Sequence, residues 1–186
     1  MSRTNKRRND SEKEMKMLLV DQYQENAIKT AIYPIDQLYP SLGLVGECAE
    51  LTEALLIDRQ ETEKEMGDCL WYIANLGADC GRKMSEITCT EGFYNKPVEF
   101  VNPSLTLFRL CGMVAENMKK AIRDNEGVLT KQREDNVVFA LRGIYNVLLK
   151  ICNDFGLDME EVARKNNEKL FSRMERGKLG GDGNDR

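Results

Sequence analysis

The chain has 186 residues, the length of one well-cored domain. Its 27 Lys and Arg against 31 Asp and Glu leave a net charge of −4, which argues against a basic nucleic-acid surface; a polyanionic ligand would need metal ions or a local Lys/Arg cluster. No apolar run approaches the roughly 18 residues of a membrane span, and the N-terminal stretch, with Arg3, Lys6, Arg7 and Arg8, lacks the apolar core of a signal peptide, so a cytoplasmic protein without membrane or nucleic-acid partners is expected.

Residues 1–14 are a charged, weakly hydrophobic arm expected to be disordered. From Met15 to about Tyr33 the positions Met15, Leu18, Leu19, Tyr23, Ala27 and Ala31 follow helical spacing. Pro34 and the Tyr39–Pro40 step are expected to break this helix, and Ser41 to cap the next, which runs to about Ile57. On that second helix Glu47 and Glu50 share one face, flanked by Gly43 and Ala54, whose small side chains leave room for a ligand. Cys48 points the other way, towards a core.

A polar turn from Asp58 to Thr62 leads into a third helix, about Glu63 to Asp79. Here Glu65 and Asp68 share a face with Tyr72 and Asn75, a phenol and a carboxamide of the kind a nucleobase or sugar uses. Tyr72 reads equally as a core residue and Asn75 as a helix–helix hydrogen bond. Asp79 lies roughly 16 Å further along at about 1.5 Å per residue, too far for the same metal shell. Residues 82–103 read as a connector with Phe93, Tyr94 and Phe100 as candidate aromatic anchors. The domain accordingly divides into 15–81, the connector 82–103, and 104–176.

Beyond the connector the pattern returns. Pro40-Ser41-Leu42-x-Leu44 recurs as Pro103-Ser104-Leu105-x-Leu107, with Cys48 matched by Cys111 and Glu53 by Glu116, and later Asp79 and Gly81 matched by Asp154 and Gly156. In this second helix pair Leu110, Met113, Ala140 and Gly143 stand where the first has Glu47, Glu50, Glu65 and Asp68, so every acid is lost. The alternative is chance likeness between amphipathic helices; the repeat implies a fused pseudo-dimer whose first half carries the chemistry. Asp158 caps a last helix, about Met159 to Arg176, on which Asn166, Lys169, Arg173 and Arg176 form a stripe suited to phosphates, or an ordinary solvated face. Residues 177–186 are a Gly-rich tail. All elements are helical, so an all-α bundle is expected.

Four converging carboxylates repel unless a cation joins them. All-oxygen ligands favour Mg²⁺, with Mn²⁺ as the alternative. The chain has no histidine, which disfavours zinc and removes the Glu-x-x-His pairs of di-iron bundles. The six cysteines form no C-x-x-C pair and read as reduced, mostly buried thiols. The site therefore points to hydrolysis and not redox chemistry.

At these residues the chain resembles the MazG-like branch of the all-α nucleoside triphosphate pyrophosphohydrolases, with the dimeric dUTPases and dCTP pyrophosphatases as relatives. The resemblance rests on Leu42 to Glu53 (LGLVGECAELTE), Glu65 to Asn75 (EMGDCLWYIAN), and Asn166 to Gly177 (NNEKLFSRMERG) with the GDGNDR end. It implies Mg²⁺-dependent hydrolysis of an NTP or dNTP to the monophosphate and pyrophosphate. Glu47, Glu50, Glu65 and Asp68 would hold the metal, with a first-helix glutamate, Glu47 or Glu50, orienting water. Tyr72 and Asn75 would face the nucleoside, and Asn166, Lys169 and Arg173 the phosphates. It further implies one site per chain, assembled from the acids of one half and the basic helix of the other, with self-association left open. The competing readings are a non-catalytic bundle that binds nucleotide or a protein partner, and an enzyme specialised for dUTP, dCTP or phosphoribosyl-ATP.

Overall fold

The computed structural model describes residues 15, 19–34, 36–89 and 102–180. The charged arm (1–14), Leu18, the aromatic part of the connector (90–101) and the last residues of the tail (181–186) lie outside the described residues. Within them the chain is all-α: α1 (residues 19–29), α2 (Leu38–Leu56), α3 (Thr62–Asp79), α4 (Met84–Thr88), α5 (Pro103–Asn125), α6 (Lys131–Phe155) and α7 (Met159–Glu175). No described helix is long and apolar enough to cross a membrane.

Local chemistry sets the helix ends. α1 stops earlier than its apolar spacing suggests because Thr30 turns both its amide (3.1 Å) and its hydroxyl (2.8 Å) back onto the Ala27 carbonyl. Pro40 breaks nothing: it sits in the first turn of α2, where a missing N–H costs no helical hydrogen bond. Ser41 is therefore inside α2, its hydroxyl donating to the Gln37 carbonyl at 2.5 Å. The cap is Asp36, whose Oδ1 accepts from the amides of Leu38 (3.1 Å) and Tyr39 (2.9 Å). α5 starts on Asn102 with Pro103 at its first position, and α7 on Asp158, whose carboxylate accepts from the Glu160 amide at 3.0 Å.

α2 packs against α3, α5 against α6, and α2 against α5, so the two helix pairs lie side by side; α7 lies along α3. The matched residues occupy matched places. Gly81 (φ 66°) and Gly156 (φ 67°) take the left-handed conformation just past α3 and α6. Cys48 and Cys111 lie near each other where α2 meets α5, close enough for each thiol to act on the other, and Cys69 Sγ approaches Cys48 Sγ at 3.9 Å. Leu110 lies directly over Gly143, where a Cβ would come within 2.8 Å of a Leu110 methyl, and Ala140 is sealed beside them. The counterpart of the Glu47–Asp68 pair is thus a plug of packed hydrocarbon. Five cysteines are buried and Cys89 is exposed, all as free thiols.

α1 is held by polar contacts. The buried Gln24 donates to the carbonyls of Ala74 (2.9 Å) and Arg82 (3.0 Å) and accepts from the Met84 amide (2.9 Å). The Trp71 indole reaches the Ala27 carbonyl (3.2 Å) and Thr30 Oγ1 (2.9 Å). Since Leu110 is fully enclosed, Leu110→Ala should lower the unfolding free energy by about 2–5 kcal/mol in denaturant titration. A change below about 0.5 kcal/mol would mean that the second half does not carry the core.

Candidate metal centre

Three of the four acids expected to converge from α2 and α3 do so. Glu47, Glu65 and Asp68 each offer an oxygen, and these atoms lie within 4.8 Å of one another. Glu50 stands outside this trio, exposed one turn further along α2, yet near enough for its charge to act on Glu47. Burial, then the charges of Asp68, Glu50 and Glu65, push the Glu47 carboxyl up to about 8, with Lys169 pulling the other way. Two ammonium groups already offset part of the negative charge: Lys64 binds Glu65 Oε1 at 2.7 Å, and Lys169 binds Asp68 Oδ1.

Lys169 comes from α7, a hundred residues along the chain from Asp68, and Asn166 comes with it, its Nδ2 donating to the same Asp68 oxygen at 3.1 Å. Gly67 faces this contact: a Cβ there would lie 3.1 Å from Asn166, a tight approach that the absent side chain spares. Lys165, not singled out from the sequence, adds a second link by binding Glu63 at 2.7 Å. The stripe on α7 is therefore not a solvated face. Asn166 (3% exposed) and Arg173 (8%) are buried, and Lys169 is turned inward. Arg176 remains at the surface, its Nε donating to the Ser172 carbonyl at 3.2 Å.

The room expected beside Gly43 is occupied by Tyr72, whose ring fills the place of a side chain; a Cβ on Gly43 would come within 2.1 Å of it. Tyr72 is half-buried, edge-on to Trp71 (centroids 4.8 Å) and tilted against Tyr39 (6.3 Å), which stacks on Tyr33 at 4.6 Å. Burial raises the Tyr72 phenol above its ordinary range, with Tyr39, Glu47 and Asp68 adding to the effect, so the aromatic group adjoins the acids. Asn75 is only 2% exposed and donates to the Trp71 carbonyl at 2.8 Å within its own helix. Asp79 lies away from the trio, accepting from the Tyr33 hydroxyl at 3.3 Å.

The residues fit a hard divalent cation. The donors are all carboxylate oxygens, and a cation would offset both the burial and the neighbouring negative charges that raise Glu47. Sequence reasoning missed Tyr23, which was counted only as an apolar helix position; its hydroxyl donates to Asn166 Oδ1 at 2.9 Å. A buried phenol needs a polar partner, which is the signal that could have marked it.

No protein-family model matches the sequence, and no solved structure matches the chain. The chain is similar to the Gene 37 protein of Mycobacterium phage L5, 31% identical over 75 residues. That match covers 40% of this chain and spans 66% of the length of the phage protein.

Because the Glu47 carboxyl is raised from its ordinary 4.5 to about 8 in the folded state, the fold gains from a protonated Glu47 below the unfolded value and loses that gain as pH rises through 8. In chelator, the Tm of the parent should therefore fall between pH 5 and pH 8.5 more steeply than that of Glu47→Gln. Parallel Tm–pH curves by circular dichroism would show that Glu47 is not the strained acid.

Proposed function

We propose that this chain is a Mg²⁺-dependent nucleoside triphosphate pyrophosphohydrolase of the MazG-like all-α type, with one site per chain. The observation that carries the reading is the meeting of Glu47, Glu65 and Asp68 across α2 and α3, with Lys169 and Asn166 brought onto Asp68 from α7. A carboxylate trio alone is common on protein surfaces. A trio partly enclosed, with Glu47 raised by burial and by its neighbours' charges, and backed by the Lys169 ammonium is better suited to a ligand that is both metal-bound and anionic.

In this reading Glu47, Glu65 and Asp68 hold the cation, with Mn²⁺ as the substitute, and Glu50 completes the acidic face. When bound, the cation neutralises phosphate oxygens and lowers the pKa of a water ligand. Hydrolysis forms one P–O bond from water and breaks the bridging P–O bond, releasing pyrophosphate and the monophosphate. The proton lost by water needs an acceptor, and Glu50, exposed and outside the trio, is the carboxylate left for it. Lys169, which binds Asp68 Oδ1, is the ammonium placed to meet a phosphate oxygen beside the acids. Arg173 lies one turn further along α7, and Asn166 stays on Asp68. Tyr72 and the half-exposed Tyr39 supply aromatic faces for the nucleoside. Asn75, enclosed and engaged by Trp71, is left without a direct substrate contact.

Pyrophosphate release from a panel of NTPs and dNTPs tests the reading. Asp68→Asn and Glu65→Gln should abolish Mg²⁺-dependent turnover, and Lys169→Ala should raise KM or lower kcat. Variant activities within a few-fold of the parent would overturn the assignment. Tight Mg²⁺–nucleotide binding without turnover by the parent would replace the enzyme with a nucleotide-binding bundle.

A further inference from the structure

Asp68 is reached from two other helices through a short chain of hydrogen bonds. Tyr23 of α1 donates to Asn166 Oδ1 (2.9 Å), and Asn166 of α7 donates through Nδ2 to Asp68 Oδ1 of α3 (3.1 Å). Both Tyr23 (5% exposed) and Asn166 are sealed from water, so each donor and acceptor must find its partner inside the protein. The polarity of the chain is then set. Asp68 as a carboxylate only accepts, which turns the Asn166 NH₂ towards it and leaves Oδ1 on the far side needing a donor. The Tyr23 hydroxyl is that donor. Burial, with the charge of Asp68 second, raises the Tyr23 phenol well above its ordinary value, which keeps the proton on the oxygen that must donate.

We propose that Tyr23 is a positioning residue for the acidic site: by donating to Asn166 it holds the Asn166 amide on Asp68, and so fixes the Asp68 carboxylate in the orientation that meets Glu47 and Glu65. The contacts of Asn166 and Lys169 both fall on Oδ1. Two donors from α7 on one oxygen restrict the rotation of the whole carboxylate. Lys169 alone does not secure this, because a flexible ammonium can follow the carboxylate as it turns, whereas an amide wedged between a phenol and Gly67 cannot. The service to a bound cation rests on the metal-site reading; the locking of Asn166 does not.

The test uses the full chain and Tyr23→Phe, which removes one oxygen and keeps the ring in the core. Tyr145→Phe, a buried tyrosine on α6, serves as the packing control. Manganese affinity is measured by calorimetry, and the Asn166 side-chain amide is followed by ¹⁵N NMR in chelator. Partners that orient metal ligands contribute about 10–100-fold in affinity, so Tyr23→Phe should bind Mn²⁺ weaker by that factor while Tyr145→Phe binds as the parent does. In chelator the Asn166 amide of Tyr23→Phe should shift and exchange its protons faster with solvent. An unchanged amide signal, or equal Mn²⁺ affinity in Tyr23→Phe and the parent, would overturn the proposal. A parent that binds no Mn²⁺ would sink the metal reading, and the amide signal would still decide the role of Tyr23. If Tyr23→Phe does not fold, the parent decides: Asn166 amide protons that exchange as fast as exposed ones exclude a locked amide.

Discussion

The approach of α7 to α3 at Gly67 is the constraint on which the rest depends. α3 is covered by α2, α4, α6 and α7 and buries most of its residues, yet it must carry two acids of the site. Charges on so enclosed a helix are tolerable only if partners meet them inside the protein. The missing side chain at Gly67 lets Asn166 and Lys169 arrive beside Asp68, while Lys64 serves Glu65 from within α3 itself. A side chain at position 67 would crowd Asn166 at 3.1 Å and press directly on the contact that α7 makes with Asp68.

The second helix pair shows what the same packing does when the acids are gone. Glu47 and Asp68 correspond to Leu110 and Gly143, and those two touch, so the two pairs approach at equivalent points with opposite chemistry. Leucine over glycine buries hydrocarbon and asks for nothing further. A glutamate enclosed beside an aspartate is both desolvated and repelled, and burial first, then the charge of Asp68, raises the Glu47 carboxyl. A chain holding one of each confines its electrostatic strain to one half and uses the other as an apolar support, with Cys48 and Cys111 meeting at the seam.

Much of this was legible in the sequence because helices advertise themselves through period and punctuation. The bounds of α3, the Asp158 cap of α7 and the shared face of Glu65 and Asp68 all follow from local rules. Position 40 misled because a proline reads as a break unless the cap before it is recognised; Asp36 supplies that cap four residues earlier. Gly43 misled for a different reason. Spacing along one helix shows a small residue beside the acids, but not that Tyr72 of the next helix lies in the gap. Tyr23 was hidden by its own ring, whose apolar body satisfies a helical pattern while its hydroxyl serves a site on another helix. Local periodicity carries the elements; which atom of one meets which atom of another is tertiary information.

The site also joins parts of the chain that lie far apart in sequence. Glu47, Glu65 and Asp68 sit on consecutive helices, whereas Lys169 and Asn166 come from α7 and Tyr23 from α1. Without α7 the acids would face one another with only Lys64 beside them, so the contacts of α7 offset part of their repulsion. A cation that joined the carboxylates would add to the same balance, stabilising the folded chain by mass action.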